Sequence, residues 1–273
     1  MLGKLIKQEL RATGRVMLPL IAAVLVLAIL AGISVMMLDR EQNYGFLTVV
    51  FVLIMIIFTV CVFAVCVTAL VVMIERFYKN LLGSEGYLMF TLPVSVDALV
   101  WAKLIVSFLW FAVTAVVVAL AWVLVAAVSA SYAFTAEDAA FIGSMVHEMI
   151  ARLGAGNVAA MALEALAALF LISVSTCLHF YFAMAIGQSF ANHKAVWSVV
   201  FYFVIGVGVS VLSSAALGSL SAYGLLDGFH ITVNNFTASM HIVLIANALI
   251  AAVLSAIFYF PTTALLKKKL NLA

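Results

Sequence analysis

Glu164, Ser175 and His179 have the residue types and spacing to handle protons. At 100° per residue they fall within about 60° of one another on a single helix face. All three lie in one long apolar run, and an ionisable residue inside a membrane span is a functional-site candidate by default. A carboxylate, a hydroxyl and an imidazole on one face are the parts of a proton pathway. Glu164 and His179 are nevertheless about 22 Å apart by helical rise, and a relay over that distance needs further intermediates. The plainer reading is favoured: Glu164 reaches water at one mouth of the helix, and His179 stays neutral, hydrogen-bonded to a neighbour.

Other chemistries lack their spacing. The sequence has no G-x-x-x-x-G-K-[ST] phosphate loop, no H-E-x-x-H and no G-x-S-x-G. His147-Glu148 lacks a second histidine four residues after the first. Cys61, Cys66 and Cys177 all fall inside apolar runs without metal or disulfide spacing. No catalytic, cofactor-binding or metal site is expected in this chain, and it is not expected to be an enzyme.

The elements that hold these residues follow from composition. The chain is 68% hydrophobic and 9% charged, where a soluble domain is about 25% charged. Six apolar runs, at 16–38, 46–74, 98–128, 159–187, 195–218 and 241–264, each reach the roughly 20 residues a helix needs to cross the hydrocarbon. Without strand-length alternation, a transmembrane barrel is excluded. The expected fold is all-α and integral to the membrane: six transmembrane helices in a single domain over 1–273. Residues 2–15 add a basic amphipathic helix, with Leu2, Leu5, Ile6 and Leu10 opposite Lys4, Lys7, Arg11 and Arg15, of the kind that lies in the interface plane. The first apolar run is too long for the h-region of a cleavable leader.

Orientation follows from Lys and Arg. Eleven of the thirteen flank the N-terminus, 75–103, 188–194 and the C-terminus, leaving only Arg40 and Arg152 for the other side. Both termini and the 75–97 segment are therefore expected on the cytoplasmic face of the plasma membrane. Trp101 and Trp197 at the inner interface and Trp122 near the outer one agree with this. The few basic residues mostly flank spans, so no nucleic-acid partner is expected; membrane lipid is the main solvent. Among the outer connections, 129–158 suits a short interfacial helix, and 219–240 suits a shallow re-entrant element. Gly206, Ser210, Ser214 and Gly218 recur every four residues in the fifth run, a small-residue face for helix packing.

The inner segment from Glu75 to Lys103 is too apolar for a free loop and too interrupted to span. Phe77 to Leu82 suits a short helix that Gly83 and Gly86 interrupt, and Pro93 ends the stretch that follows. Ser95 then suits the N-cap of the third span, with Asp97 in its first turn.

Within this segment, NLLGSEGYLMFTLPVSVDALVWAKLI (80–105) resembles the first inner loop of ABC-type exporter permeases of the type-two family. The pattern rests on Gly83, Glu85, Tyr87–Phe90, Thr91, Pro93 and Lys103. The six-span layout with inner termini is similar across nearly the whole chain, while the motif likeness is confined to that loop. The resemblance implies a permease subunit of an ATP-driven exporter, with the inner segment as a coupling helix docking on a separate cytosolic ATPase. The residues it implies for coupling are Phe77, Tyr78, Leu81, Leu82, Glu85, Tyr87, Leu88 and Phe90. ATP and Mg would sit on that partner, and a second permease chain, identical or different, would complete the pathway. Cargo is not implied. The competing expectations are a proton-coupled secondary carrier using Glu164 and His179, and a membrane protein without transport activity.

Overall fold

The computed structural model describes residues 2–40, 45–83, 86, 89, 91, 94–130, 135–190, 192–222 and 236–268. Seven α-helices account for nearly all of them: α1 (Leu2–Arg40), α2 (Phe46–Phe77), α3 (Val96–Ala130), α4 (Ala136–Leu153), α5 (Ala155–Gly187), α6 (Lys194–Ala222) and α7 (Phe236–Lys268). All but α4 are long and apolar enough to cross a membrane, which makes this an all-helical, membrane-embedded protein.

α1 is one continuous helix of 39 residues, about 58 Å long against a hydrocarbon core of about 30 Å. The basic amphipathic stretch 2–15 is thus the first four turns of the span and not a separate helix. Nothing between Arg11 and Val16 breaks a helix. Pro19 lies inside this helix and removes the hydrogen bond to the carbonyl of Arg15, yet the helix continues through it.

The chain groups into two compact units, Met1–Met73 with Ile105–His147, and Ile74–Leu104 with Glu148–Ala273. In the first, α1, α2 and α3 pack through Val24, Ala28 and Ala31, Phe58 and Val65, and Val117, Ala121 and Val125. Each set recurs at helical spacing on one stripe. Lipid removes the hydrophobic drive between helices, so close contact and small residues must hold them. A Cβ on Gly32 would meet the Val128 Cβ at 2.6 Å, so glycine sets the approach of α1 to α3. Nearer the N-terminus, the Trp110 indole N–H donates to Thr13 Oγ1 at 2.7 Å, and the Thr13 hydroxyl donates to the Glu9 carbonyl at 2.8 Å. Phe58 and Trp122 meet edge to face at 5.3 Å.

In the second unit α5 is central, packing along α7 most extensively and along α6 next. Buried hydroxyls in α7 bond their own helix, Ser255 to the Ala251 carbonyl at 2.7 Å and Thr262 to the Phe258 carbonyl at 2.6 Å. That satisfies them without water. α6 starts after His193, whose φ of 54° lies in the left-handed region.

α4, within the connection expected to hold a short helix, opens on a reciprocal cap. Asp138 Oδ2 accepts from the Thr135 N–H and hydroxyl, both at 2.8 Å, and Thr135 Oγ1 accepts from the Asp138 N–H at 3.3 Å. The Thr135 backbone bond, followed by its hydroxyl bond, holds the Asp138 carboxyl below the ordinary aspartate value. A lowered folded value stabilises the cap above the unfolded carboxyl range, and that stabilisation is lost as pH falls through the lower value. The first turn of α4 should therefore fray only in acid below about pH 4. Amide shifts of 137–139 followed from pH 6 downward check this; Asp138→Asn should remove the transition, and an unchanged transition would contradict the assignment.

Candidate functional site

Three polar groupings lie in the second unit, and the first surrounds the segment after α2. Phe77–Leu82 is not a separate short helix: α2 continues to Phe77 and directly into a π-helical turn over Tyr78–Leu82, which Gly83 interrupts. The Gly83 N–H closes that turn on the Tyr78 carbonyl at 2.8 Å. Gly83 is extended (φ −92°, ψ −170°), and a Cβ there would come within 2.9 Å of the Lys79 carbonyl. Beyond it, Gly86, Met89 and Thr91 have helical backbone. π-Turns inside helices occur frequently at functional sites.

This turn is keyed to other helices. The Phe77 ring is fully buried and stacks on Tyr181 of α5, centroids 3.7 Å apart and planes 7° from parallel. Leu81 and Leu82 are buried as well, so these three apolar side chains sit in the chain's own packing and are not presented at its surface. Tyr78 is half-buried. Glu85, Tyr87, Leu88 and Phe90 lie outside the described residues. Lys103 of α3, only 4% exposed, donates to the Arg76 carbonyl at 3.2 Å.

α3 starts at Val96, and the Ala98 N–H bonds Ser95 Oγ at 3.3 Å, the cap expected there. Asp97 does more than complement the helix dipole. One carboxylate oxygen accepts from the Tyr259 hydroxyl and the other from Lys267 Nζ, both at 2.8 Å. Tyr259 and Lys267 belong to α7, and Trp101 lies beside Tyr259 at 6.0 Å. The segment between α2 and α3 is thus flanked by fixed contacts to α5, on one side, and α7, on the other.

The second grouping is His179. Its Nε2 lies 3.2 Å from the Tyr202 carbonyl of α6. A carbonyl only accepts, so Nε2 carries the hydrogen. The ring stacks against Tyr202 at 4.6 Å and Phe258 at 5.2 Å. A Cβ on Gly206 would lie 3.5 Å from its Cε1. Of the small-residue face, Gly206 is half-buried beside this imidazole, whereas Ser210, Ser214 and Gly218 are exposed on the chain's surface.

The third is Glu164. It is paired with His241 of α7, whose Nδ1 lies 2.9 Å from Oε1 and 2.7 Å from Oε2, with each side chain 25% exposed. Glu164 is thus engaged by α7, and His179 by α6 through its hydrogen bond and by both α6 and α7 through its ring stacks, with Ser175 buried between them along α5. Sequence reading missed His241, Tyr181 and Tyr259, because periodicity within one helix carries no information about its neighbours. The available signal was His241 itself, the sole ionisable residue in the first half of an apolar run. Among the described residues, no cluster of three or more His, Cys, Asp or Glu could hold a metal ion. Searches of family models, curated proteins and solved structures found no match for this chain.

Proposed function

We propose that this chain is the transmembrane permease subunit of an ATP-driven ABC-type exporter, working with a second permease chain and with separate cytosolic ATPase subunits that hold ATP and Mg. It resides in the plasma membrane with both termini cytoplasmic, and segment 77–92 is the coupling element. The observation that carries the reading is the rooting of that segment. Phe77 is stacked on α5, Lys103 is bonded to the Arg76 carbonyl, and Asp97 is tied to α7. A partner pressing on a rigidly rooted turn moves the helices it is rooted in, whereas a slack loop would absorb the push. Packed interfaces are bistable, so a small displacement can become a switch between two arrangements. Phe77, Leu81 and Leu82 serve as the root, and contact with the ATPase falls to Tyr78, Lys79 and the residues after Gly83.

The lysine-rich end supports the orientation. The competing proton relay from Glu164 to His179 has less support, because Glu164 is hydrogen-bonded to His241 while His179 is bonded to the Tyr202 carbonyl, which cannot pass a proton on. Two measurements test the reading. Native purification should bring down an ATP-binding subunit, and Asp97→Asn with Lys267→Met should uncouple ATP hydrolysis from transport while the complex still assembles. Failure to recover an ATPase, together with wild-type activity after deletion of 84–92, would sink it.

A further inference from the structure

We propose that Glu164 and His241 form a proton-binding site on the seam between α5 and α7, with the proton taken up at His241 Nε2. The inference stands on the pair's geometry and does not depend on what drives transport. As a carboxylate Glu164 can only accept, and the hydrogen between the two residues is then carried by His241 Nδ1, which faces both Glu164 oxygens at 2.9 and 2.7 Å. That leaves Nε2 as the atom where a further proton adds. With Nε2 bare the pair holds a net charge of −1. One proton converts it to imidazolium and carboxylate, and the net charge becomes zero.

The surroundings favour that neutral state. In α5 between Ala155 and Leu178, Glu164 and Cys177 are the only titratable residues. In α7 from Phe236 to Phe258, His241 is the only one, and α6 from Phe203 to Ala222 has none. No described charge on the helices packed there offsets the lone carboxylate, so an added proton is its compensation. An uncompensated charge away from water is costly, and each side chain of the pair is 25% exposed on the chain's surface. Protonation also makes the Nδ1–H bond to Glu164 charge-assisted and tightens the seam. A rearrangement that parts α5 from α7 would release the proton, and by reciprocity the proton would oppose the parting.

The test is ¹⁵N NMR of the full chain in phosphatidylcholine nanodiscs with labelled histidine, His241 being identified by its loss in His241→Gln. The expected result is hydrogen on Nδ1 throughout the titration, with hydrogen on Nε2 only at its acid end. Hydrogen on Nε2 alone at the alkaline end would overturn the proposal without any variant. In Glu164→Leu, which removes the acceptor, His241 should lose its preference for hydrogen on Nδ1 at the alkaline end, and an unchanged tautomer there would also overturn it. Glu164→Asp, which keeps a carboxylate, should retain at least part of that preference; loss equal to that in Glu164→Leu would show that the carboxylate does not hold the tautomer.

Discussion

Phe77→Ala should destabilise the chain by about 3 kcal/mol, the lower end of the range for truncating a buried phenylalanine. The lower end applies because lipid-exposed unfolded helices reduce the transfer contribution, while the cavity and the lost ring contact remain. The ring is fully buried and stacked at 3.7 Å on Tyr181. No rotamer change elsewhere refills a ring-sized gap between two close-packed helices. Tyr181→Phe keeps the stack and should cost less than Phe77→Ala, and Phe77→Leu should cost less than Phe77→Ala as well. The midpoint of denaturation by a graded SDS series checks the order. Equal midpoints for Phe77→Ala and the parent chain would show that the turn is not rooted through this ring.

Gly187→Ala is expected to be the other severe change. The new Cβ would lie 2.7 Å from the Ser198 backbone nitrogen and 2.8 Å from its Cα. Both are main-chain atoms of α6, so α5 and α6 must move apart at their connected ends. Overpacking of this kind costs about 1–3 kcal/mol, against which alanine returns up to about 1 kcal/mol of helix propensity. Ser198→Ala would remove the contact with Ser198 Oγ but should not restore the parent's stability, because the main-chain atoms still obstruct. Gly208→Ala, with nothing within 4 Å of its Cβ, gives the propensity gain alone and should match or exceed the parent. Thermal aggregation of the detergent-purified proteins reads out all three, and a harmless Gly187→Ala would mean that α5 and α6 do not approach this closely.

The centres of all six spans were legible in the sequence, because nothing but a membrane helix suits runs so long and so apolar. Their ends were less so. The run placed at 159–187 is a helix from Ala155, and that at 241–264 extends over Phe236–Lys268. Hydropathy registers where solvent changes, whereas a helix ends where a cap or a glycine stops it. Ser95 was readable as such a stop; the continuity of α1 through Arg15 was not, because charge pattern looks the same in a bent and a straight helix. In the candidate site, Glu164 and His179 could be singled out by chemistry alone. Their partners His241 and Tyr202 come from other helices, 77 and 23 residues away, and one chain's periodicity holds no record of such pairings. The aromatic character of 77–92 was visible too, but a buried Phe77 and a surface Phe77 have the same letter.

The π-turn at Tyr78–Leu82 has a consequence for descent. Five residues closing on an i to i+5 bond are what an α-helix becomes when one residue is inserted and the flanking packing holds firm. Deleting one residue from 78–82 would heal the bonding to i+4 and swing everything beyond it by about 100°. The hydrogen bonds of the turn could survive that deletion while the direction in which the chain leaves Leu82 changes. The turn is thus a place where a lineage could re-aim the chain leaving α2 in a single codon step, without altering α2 up to Phe77.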